Sequence, residues 1–167
     1  MKVVSNSSIL IALSRIGQFD LLSQRFEEGI LIPQEVWHEV VETGNGRSGA
    51  NEVRVANWIT VRKIKNSPLL ALLSTELDKG ESEAIALSIE EQADIILLDE
   101  RSARRKAVSL GLTVLGTVGV LIWAKRVGLI ENLRLQLNTL QTTGHFHLSR
   151  TVYKQALQSV GEIERNT

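Results

Sequence analysis

Gly80-Glu81-Ser82-Glu83-Ala84-Ile85-Ala86-Leu87, followed by Ile95-Ile96-Leu97-Leu98-Asp99-Glu100-Arg101, decides how this chain is read. The first stretch reads as the opening turn of a helix carrying two carboxylates. The second reads as a strand buried on both faces, ending in two more acids. In an open parallel sheet, functional groups gather just past the carboxyl ends of the strands. Acids brought there from separate segments are how a protein holds a hard divalent cation, which points to metal-dependent chemistry on phosphate.

Working outward, apolar runs rich in Val, Ile and Leu alternate with helical patterns, which indicates βαβ units and a parallel sheet. Strands are expected at Lys2 to Ser5, Ile30 to Ile32, Trp58 to Lys63 (at the sheet edge), Asp94 to Leu98 and Leu112 to Leu115. Helices are expected at Ile9 to Ile16, Phe19 to Phe26, Gln34 to Glu42, from Asn66-Ser67-Pro68 onward, and at Glu81 to Glu91. Further helices are expected at Arg101 to Leu110, Thr117 to Val127, Glu131 to Leu140 and Ser149 to Gly161. Lys79-Gly80 reads as the break before the Glu81 helix, and Gly44 to Asn51 as a mobile loop. The expected architecture is one α/β domain over residues 1–167 with three layers, helix–sheet–helix, and about five strands. Its C-terminal helices, about 129–161, pack onto it.

The 167 residues suffice for one domain with a full core. With no Cys there is no disulfide framework, Cys-ligated zinc or thiol nucleophile, and a cytoplasmic location fits. The 19 basic and 19 acidic residues balance, which argues against bulk electrostatic coating of nucleic acid and leaves a nuclease open. Ser5-Asn6-Ser7-Ser8 interrupts any signal-peptide apolar core, and the apolar run Val114 to Ala124 is too short to span a bilayer.

Four positions are candidates to converge: Asn6 past the first strand, Glu39 in the helix after the second, Glu83, and Asp99 past the central strand with Glu100 beside it. A cluster of carboxylates without a cation repels itself and raises a pKa, and a bound cation removes that penalty. Each residue also has a plainer reading. Glu39 follows Glu35 by one helical turn, as on a solvated face; Glu81 and Glu83 suit a helix N-terminus; Asp99 and Thr117 suit N-caps. Arg101, Arg104 and Arg105 flank the acids and would pair with Glu or lie near substrate phosphate. His145 and His147 are too isolated for a metal site. Trp37, Trp58 and Trp123 read as core or interface, since nothing in the sequence places them beside the acids.

Several motifs occur in order: Val3-Val4-Ser5-Asn6-Ser7-Ser8, Ile32-Pro33-Gln34-Glu35-Val36-Trp37-His38-Glu39-Val40, Gly80 to Leu87, Leu97 to Arg104, and Leu115-Gly116-Thr117-Val118-Gly119. Together they resemble a PIN domain, in the prokaryotic subfamily related to VapC-like toxins, over essentially the whole chain. The resemblance implies a Mg²⁺- or Mn²⁺-dependent endoribonuclease, often the toxin half of a toxin–antitoxin pair and often a homodimer. It places the family's acids on Glu39, Glu83 and Asp99, with Glu100 as the adjoining acid. The small hydroxyl after the first strand falls on Ser7 or Ser8, and the Gly-Thr turn on Gly116 and Thr117.

One departure matters. The family's first aspartate is Asn6 here, which keeps a ligating carbonyl oxygen and loses the charge, so metal affinity should fall.

The expected function is cleavage of single-stranded RNA, with Glu39, Glu83, Asp99 and the Asn6 carbonyl as ligands and Arg101 or Arg104 at the phosphate. A small antitoxin protein is the expected partner. The alternative is a PIN scaffold that binds RNA or a protein without cutting. A receiver-type phosphoacceptor ranks lower, since the Leu115-Gly116-Thr117 turn just past the last strand holds no Lys. Dinucleotide binding ranks lower still, since no Gly-x-Gly-x-x-Gly follows the first.

Overall fold

The computed structural model describes residues 1–162. Five strands form one all-parallel sheet: β1 (Val3–Ser5), β2 (Ile30–Pro33), β3 (Ile59–Arg62), β4 (Ile95–Leu97) and β5 (Val114–Leu115). Their spatial order is β3-β2-β1-β4-β5, with Val3, Val4 and Ser5 paired to Ile95, Ile96 and Leu97. The chain therefore leaves β1 toward one edge and leaves β4 toward the other. Connections that diverge in this way open a crevice at the carboxyl ends of the two central strands. Asn6 and Asp99 follow those two ends.

Successive strand residues face opposite layers, as the two-residue repeat of a pleated strand requires. Val3, Ile30, Ile32 and Leu97 join one core; Val4, Ile96 and Leu98 join the other. The first core is covered by α1 (Ser7–Arg15), α2 (Leu21–Arg25), α4 (Ala50–Val55), α8 (Thr117–Arg126), α9 (Leu133–Thr142) and α10 (Arg150–Ser159). The second is covered by α5 (Ser67–Leu73), α6 (Lys79–Glu90) and α7 (Arg101–Ser109). Between β2 and α4 lie the short α3 (Gln34–Trp37) and a π-helical turn, His38–Thr43. The Glu162 carboxylate accepts the Leu133 and Arg134 amide N–H groups at 2.7 and 3.1 Å, closing the N-terminus of α9. No helix among the described residues is long and apolar enough to cross a membrane.

Three local expectations are corrected. The helix expected over Gln34 to Glu42 is α-helical only to Trp37 and then widens into the π turn, which buries Val40 and Val41 together. The loop expected over Gly44 to Asn51 ends early: Gly49 adopts a left-handed φ of 97°, and α4 starts at Ala50 with Ala50 and Val53 buried. Lys79 and Gly80 do not break the chain but begin α6. Asp78 is its N-cap, accepting the Glu81 N–H at 2.8 Å while Glu81 reaches back to the Asp78 N–H at 3.2 Å. Glu81 therefore lies in the first turn and Glu83 one step beyond it.

Candidate active site at the carboxyl edge

Asn6 is buried at the end of β1, its N–H bonded to the Leu97 carbonyl at 3.0 Å. Its Oδ1 is buried and accepts no hydrogen bond. Such an orphaned acceptor costs about 1–3 kcal/mol unless a ligand or water takes it up. The next residue, Ser7, opens α1 and donates its hydroxyl to Glu39 Oε2. Ser8 Oγ is also buried and makes no hydrogen bond, so of the two hydroxyls Ser7 is the one beside an acid.

Glu39 stands in the π turn, a distortion that recurs at functional sites. Burial raises its pKa; the Ser7 hydroxyl opposes that, and Asp78 and Glu35 add to it. The approach to α6 is close: a Cβ on Gly80 would come within 3.0 Å of the Glu39 carboxyl carbon. Glu83 is buried, and burial raises its pKa; Lys79 opposes the shift, while Glu35 and Glu39 reinforce it. Glu81 is raised by burial and then by Asp78, with Glu100 and Glu39 adding smaller contributions. Glu100 itself is exposed at the start of α7.

Asp99 is held differently. Its Oδ1 accepts the Thr117 N–H at 2.8 Å and its Oδ2 accepts the Thr117 hydroxyl at 2.6 Å. The sequence suggested Asp99 as the cap of the helix that follows it; the structure makes it the anchor of α8, whose first residue is Thr117. Burial raises its pKa, against the Thr117 hydrogen bonds and the nearby Arg104 charge. Arg104 donates to the Leu98 carbonyl at 3.2 Å, so one guanidinium nitrogen is committed to the scaffold. Arg101 and Arg105 are exposed on α7.

The sequence-derived positions thus line one edge of the sheet but stay in two groups. Glu39 lies within electrostatic reach of both Glu81 and Glu83 and is bonded to Ser7, the residue after Asn6; Asp99 sits with Thr117 and Arg104. Among the described residues no three Asp, Glu, His or Cys side chains are close enough to form a metal-ligand set as they stand. The donor chemistry nonetheless suits a hard divalent cation. It offers a buried orphan carbonyl oxygen, carboxylates whose anions are destabilised by burial and by one another, and hydroxyls that orient two of them.

Residues that the sequence reading passed over also enter. Glu35 pairs with Lys79 at 3.2 Å. Trp37 lines an open groove of about 590 Å³ together with Glu83, His38 and Lys79. Its ring packs against the first core, as the sequence suggested, and the groove also sets it beside Glu83. Trp58 instead stacks on Phe19 with ring centroids 5.1 Å apart, and Trp123 faces the Arg25 guanidinium at 5.5 Å. His145 and His147 are exposed between α9 and α10.

An α/β/α fold with an acidic crevice at its central strand ends defines the class. A family model described as a PIN domain matches residues 2–162, and the chain belongs to that family. PIN domains are generally nucleases dependent on divalent metal. Among solved structures, the chain resembles a PilT N-terminus domain protein from the hyperthermophilic archaeon Sulfolobus solfataricus P2. The TM-score is 0.52 at 17% identity, covering 89% of this chain and 100% of that one, a likeness of fold. Comparison with curated proteins finds no match.

The raised carboxylates carry a pH signature. A carboxylate whose folded pKa lies above its unfolded value holds its proton longer in the folded state. The stability it contributes is full below the ordinary carboxylate range, about pH 4, and is lost as pH rises through the elevated folded value. For Glu39, that sign predicts that Glu39→Gln flattens part of the decline in thermal midpoint of EDTA-treated protein as pH rises from about 4. Parallel profiles for wild type and variant would show that Glu39 is not held above its ordinary range.

Proposed function

We propose that the chain is a divalent-metal-dependent endoribonuclease that cleaves single-stranded RNA by hydrolysis. The observation that carries this reading is the buried, unpartnered Asn6 Oδ1, facing no internal donor at the switch point of the sheet. Asn6 Oδ1, Glu39, Glu83 and Asp99 would hold a Mg²⁺ or Mn²⁺ ion, with Glu100 as an outer acid. When bound, such an ion polarises a phosphoryl oxygen and activates water for in-line attack. Ser7 orients Glu39, and Thr117 fixes Asp99 through both oxygens, so each carboxylate keeps further lone pairs for a cation. Arg101 and the uncommitted face of Arg104 would steady the phosphate. Single-stranded RNA fits because an unpaired strand reaches a recessed edge that a duplex cannot. A cytoplasmic toxin role, a small antitoxin partner and a homodimer belong to the same reading and rest on the family resemblance.

A second reading has its own observation. The first acid is replaced by a neutral Asn6, and the acids stand in two groups, as in a scaffold that binds RNA or a partner without cutting. Asn6→Asp separates the two. On the nuclease reading it tightens Mn²⁺ binding by about tenfold, since it adds one anionic ligand where a carbonyl already points, and it speeds cleavage of a labelled single-stranded RNA. If the variant binds Mn²⁺ no better and neither protein cuts, the scaffold reading stands.

A further inference from the structure

The groove beside the acids has a composition of its own. It lies between α3 with its π turn, the exposed edge strand β3 and the start of α6. Trp37 and Val61 supply apolar surface, and Val61 is 37% exposed. Glu35, Glu42 and Glu83 supply three carboxylates against Lys79 and His38. Both positive groups are already engaged: Lys79 with Glu35 at 3.2 Å, and His38 Nδ1 with Glu42 Oε2 at 2.7 Å.

This lining disfavours a phosphate and favours a flat, uncharged group rich in N–H donors. A nucleobase is such a group, and every base presents a π-face to an indole. Among the four bases, guanine alone presents two adjacent N–H donors, N1–H and N2–H₂, on its Watson–Crick edge. A carboxylate accepts two parallel N–H bonds with its two oxygens. Glu42 is suited to that role: its bond to His38 joins two exposed side chains and is readily exchanged, whereas Glu35 is mostly buried and paired with Lys79, and Glu83 is shared with the acidic site.

We propose that this groove is a base-specificity subsite that takes a guanine of a single-stranded RNA, stacked against Trp37 and read by Glu42. Glu83 borders both the groove and the acidic crevice, so the guanine lies next to the phosphodiester that is cut. The subsite rests on the nuclease reading for its purpose, and its occupancy is measured without metal or cleavage.

The test follows the Trp37 indole N–H by ¹⁵N-edited NMR in EDTA, assigned by its loss in Trp37→Leu, while guanosine, inosine and uridine are titrated in turn. The same protein with Mn²⁺ is then given a random-sequence single-stranded RNA and its cut sites are mapped. Guanosine should perturb Trp37 and bind about tenfold or more tightly than uridine, with inosine, which lacks the 2-amino group, between them. Glu42→Gln, at an exposed position, and Trp37→Leu, which keeps apolar packing, should each erase the preference. Cuts should fall beside G.

Equal response to all three nucleosides, or none at Trp37, overturns the subsite. Cleavage without base preference overturns it while leaving the nuclease intact. Guanosine binding without any cleavage supports the subsite and removes the nuclease reading instead.

Discussion

Asp99→Asn is expected to lower RNA cleavage by roughly 10³-fold, about 4 kcal/mol of transition-state stabilisation, while the protein stays folded. The carboxylate stands just past β4, one of the two central strands, and burial already disfavours its anion, with Arg104 and Thr117 opposing that cost. The substitution removes the charge a divalent cation needs there. It keeps an oxygen to accept one of the two Thr117 hydrogen bonds, now 2.8 and 2.6 Å. Removing a charge that burial destabilises offsets the loss of the second bond, so the thermal midpoint of metal-free protein should change little. Cleavage of a labelled single-stranded RNA, set beside a thermal melt, reads both quantities. A variant that cuts at the wild-type rate would take Asp99 out of the chemistry and leave it only as the anchor of α8.

Gly80→Ala is expected to cost about 100-fold in cleavage and almost nothing in stability. Gly80 is the second residue of α6, where alanine is intrinsically better by roughly 0.5–1 kcal/mol. The added methyl, however, meets Glu39 Oε1 more closely than real Cβ contacts fall, with the carboxyl carbon and Oε2 at 3.0 Å. Glu39 must swing away and give up its Ser7 hydrogen bond, and a displacement of about 1 Å in a catalytic group costs on the order of 10²-fold. Gly116→Ala makes the matching test on the other acid, since its Cβ would lie 2.9 Å from Asp99 Oδ1 and 2.5 Å from Arg104. Unchanged kinetics in Gly80→Ala, at equal or higher melting temperature, would show that the position of Glu39 does not matter to catalysis.

These two glycines illustrate what a sequence conceals. Gly80 reads as a helix breaker because glycine ordinarily is one. The overriding signal was local and legible: Asp78 and Glu81 form a capping box that starts α6 at Lys79. The reason for the glycine, the carboxylate of Glu39 pressed against it, comes from a residue 41 positions away and leaves no local trace.

The strands were legible because runs such as Ile95 to Leu98 must be buried on both faces of a parallel sheet. The edge position of β3 was legible from its polar Thr60 and Arg62. The π turn was not, since an α-helix and a π turn share the apolar spacing Val36 to Val40, and only the joint burial of Val41 reveals the extra residue.

For the acids, the sequence placed Asp99 past a strand end, Glu83 in the first turn of its helix and Glu39 within the helix after the second strand. It did not reveal that Asp99 spends both oxygens on Thr117, or that Glu39 takes up the Ser7 hydroxyl. Those partners are far apart in the chain. Nor did it place Trp37, whose neighbours in the groove come from β3 and α6.

The most direct measurement is calorimetric titration of Mn²⁺ into EDTA-stripped wild-type protein and into Glu39→Gln and Asp99→Asn, at a pH near 8, well above the ordinary carboxylate range. Saturable binding to the wild type, weakened by at least about tenfold in both variants, is the predicted result and would join the two acid groups into one metal site. Wild-type binding that survives both substitutions, or no binding at millimolar Mn²⁺, would contradict it.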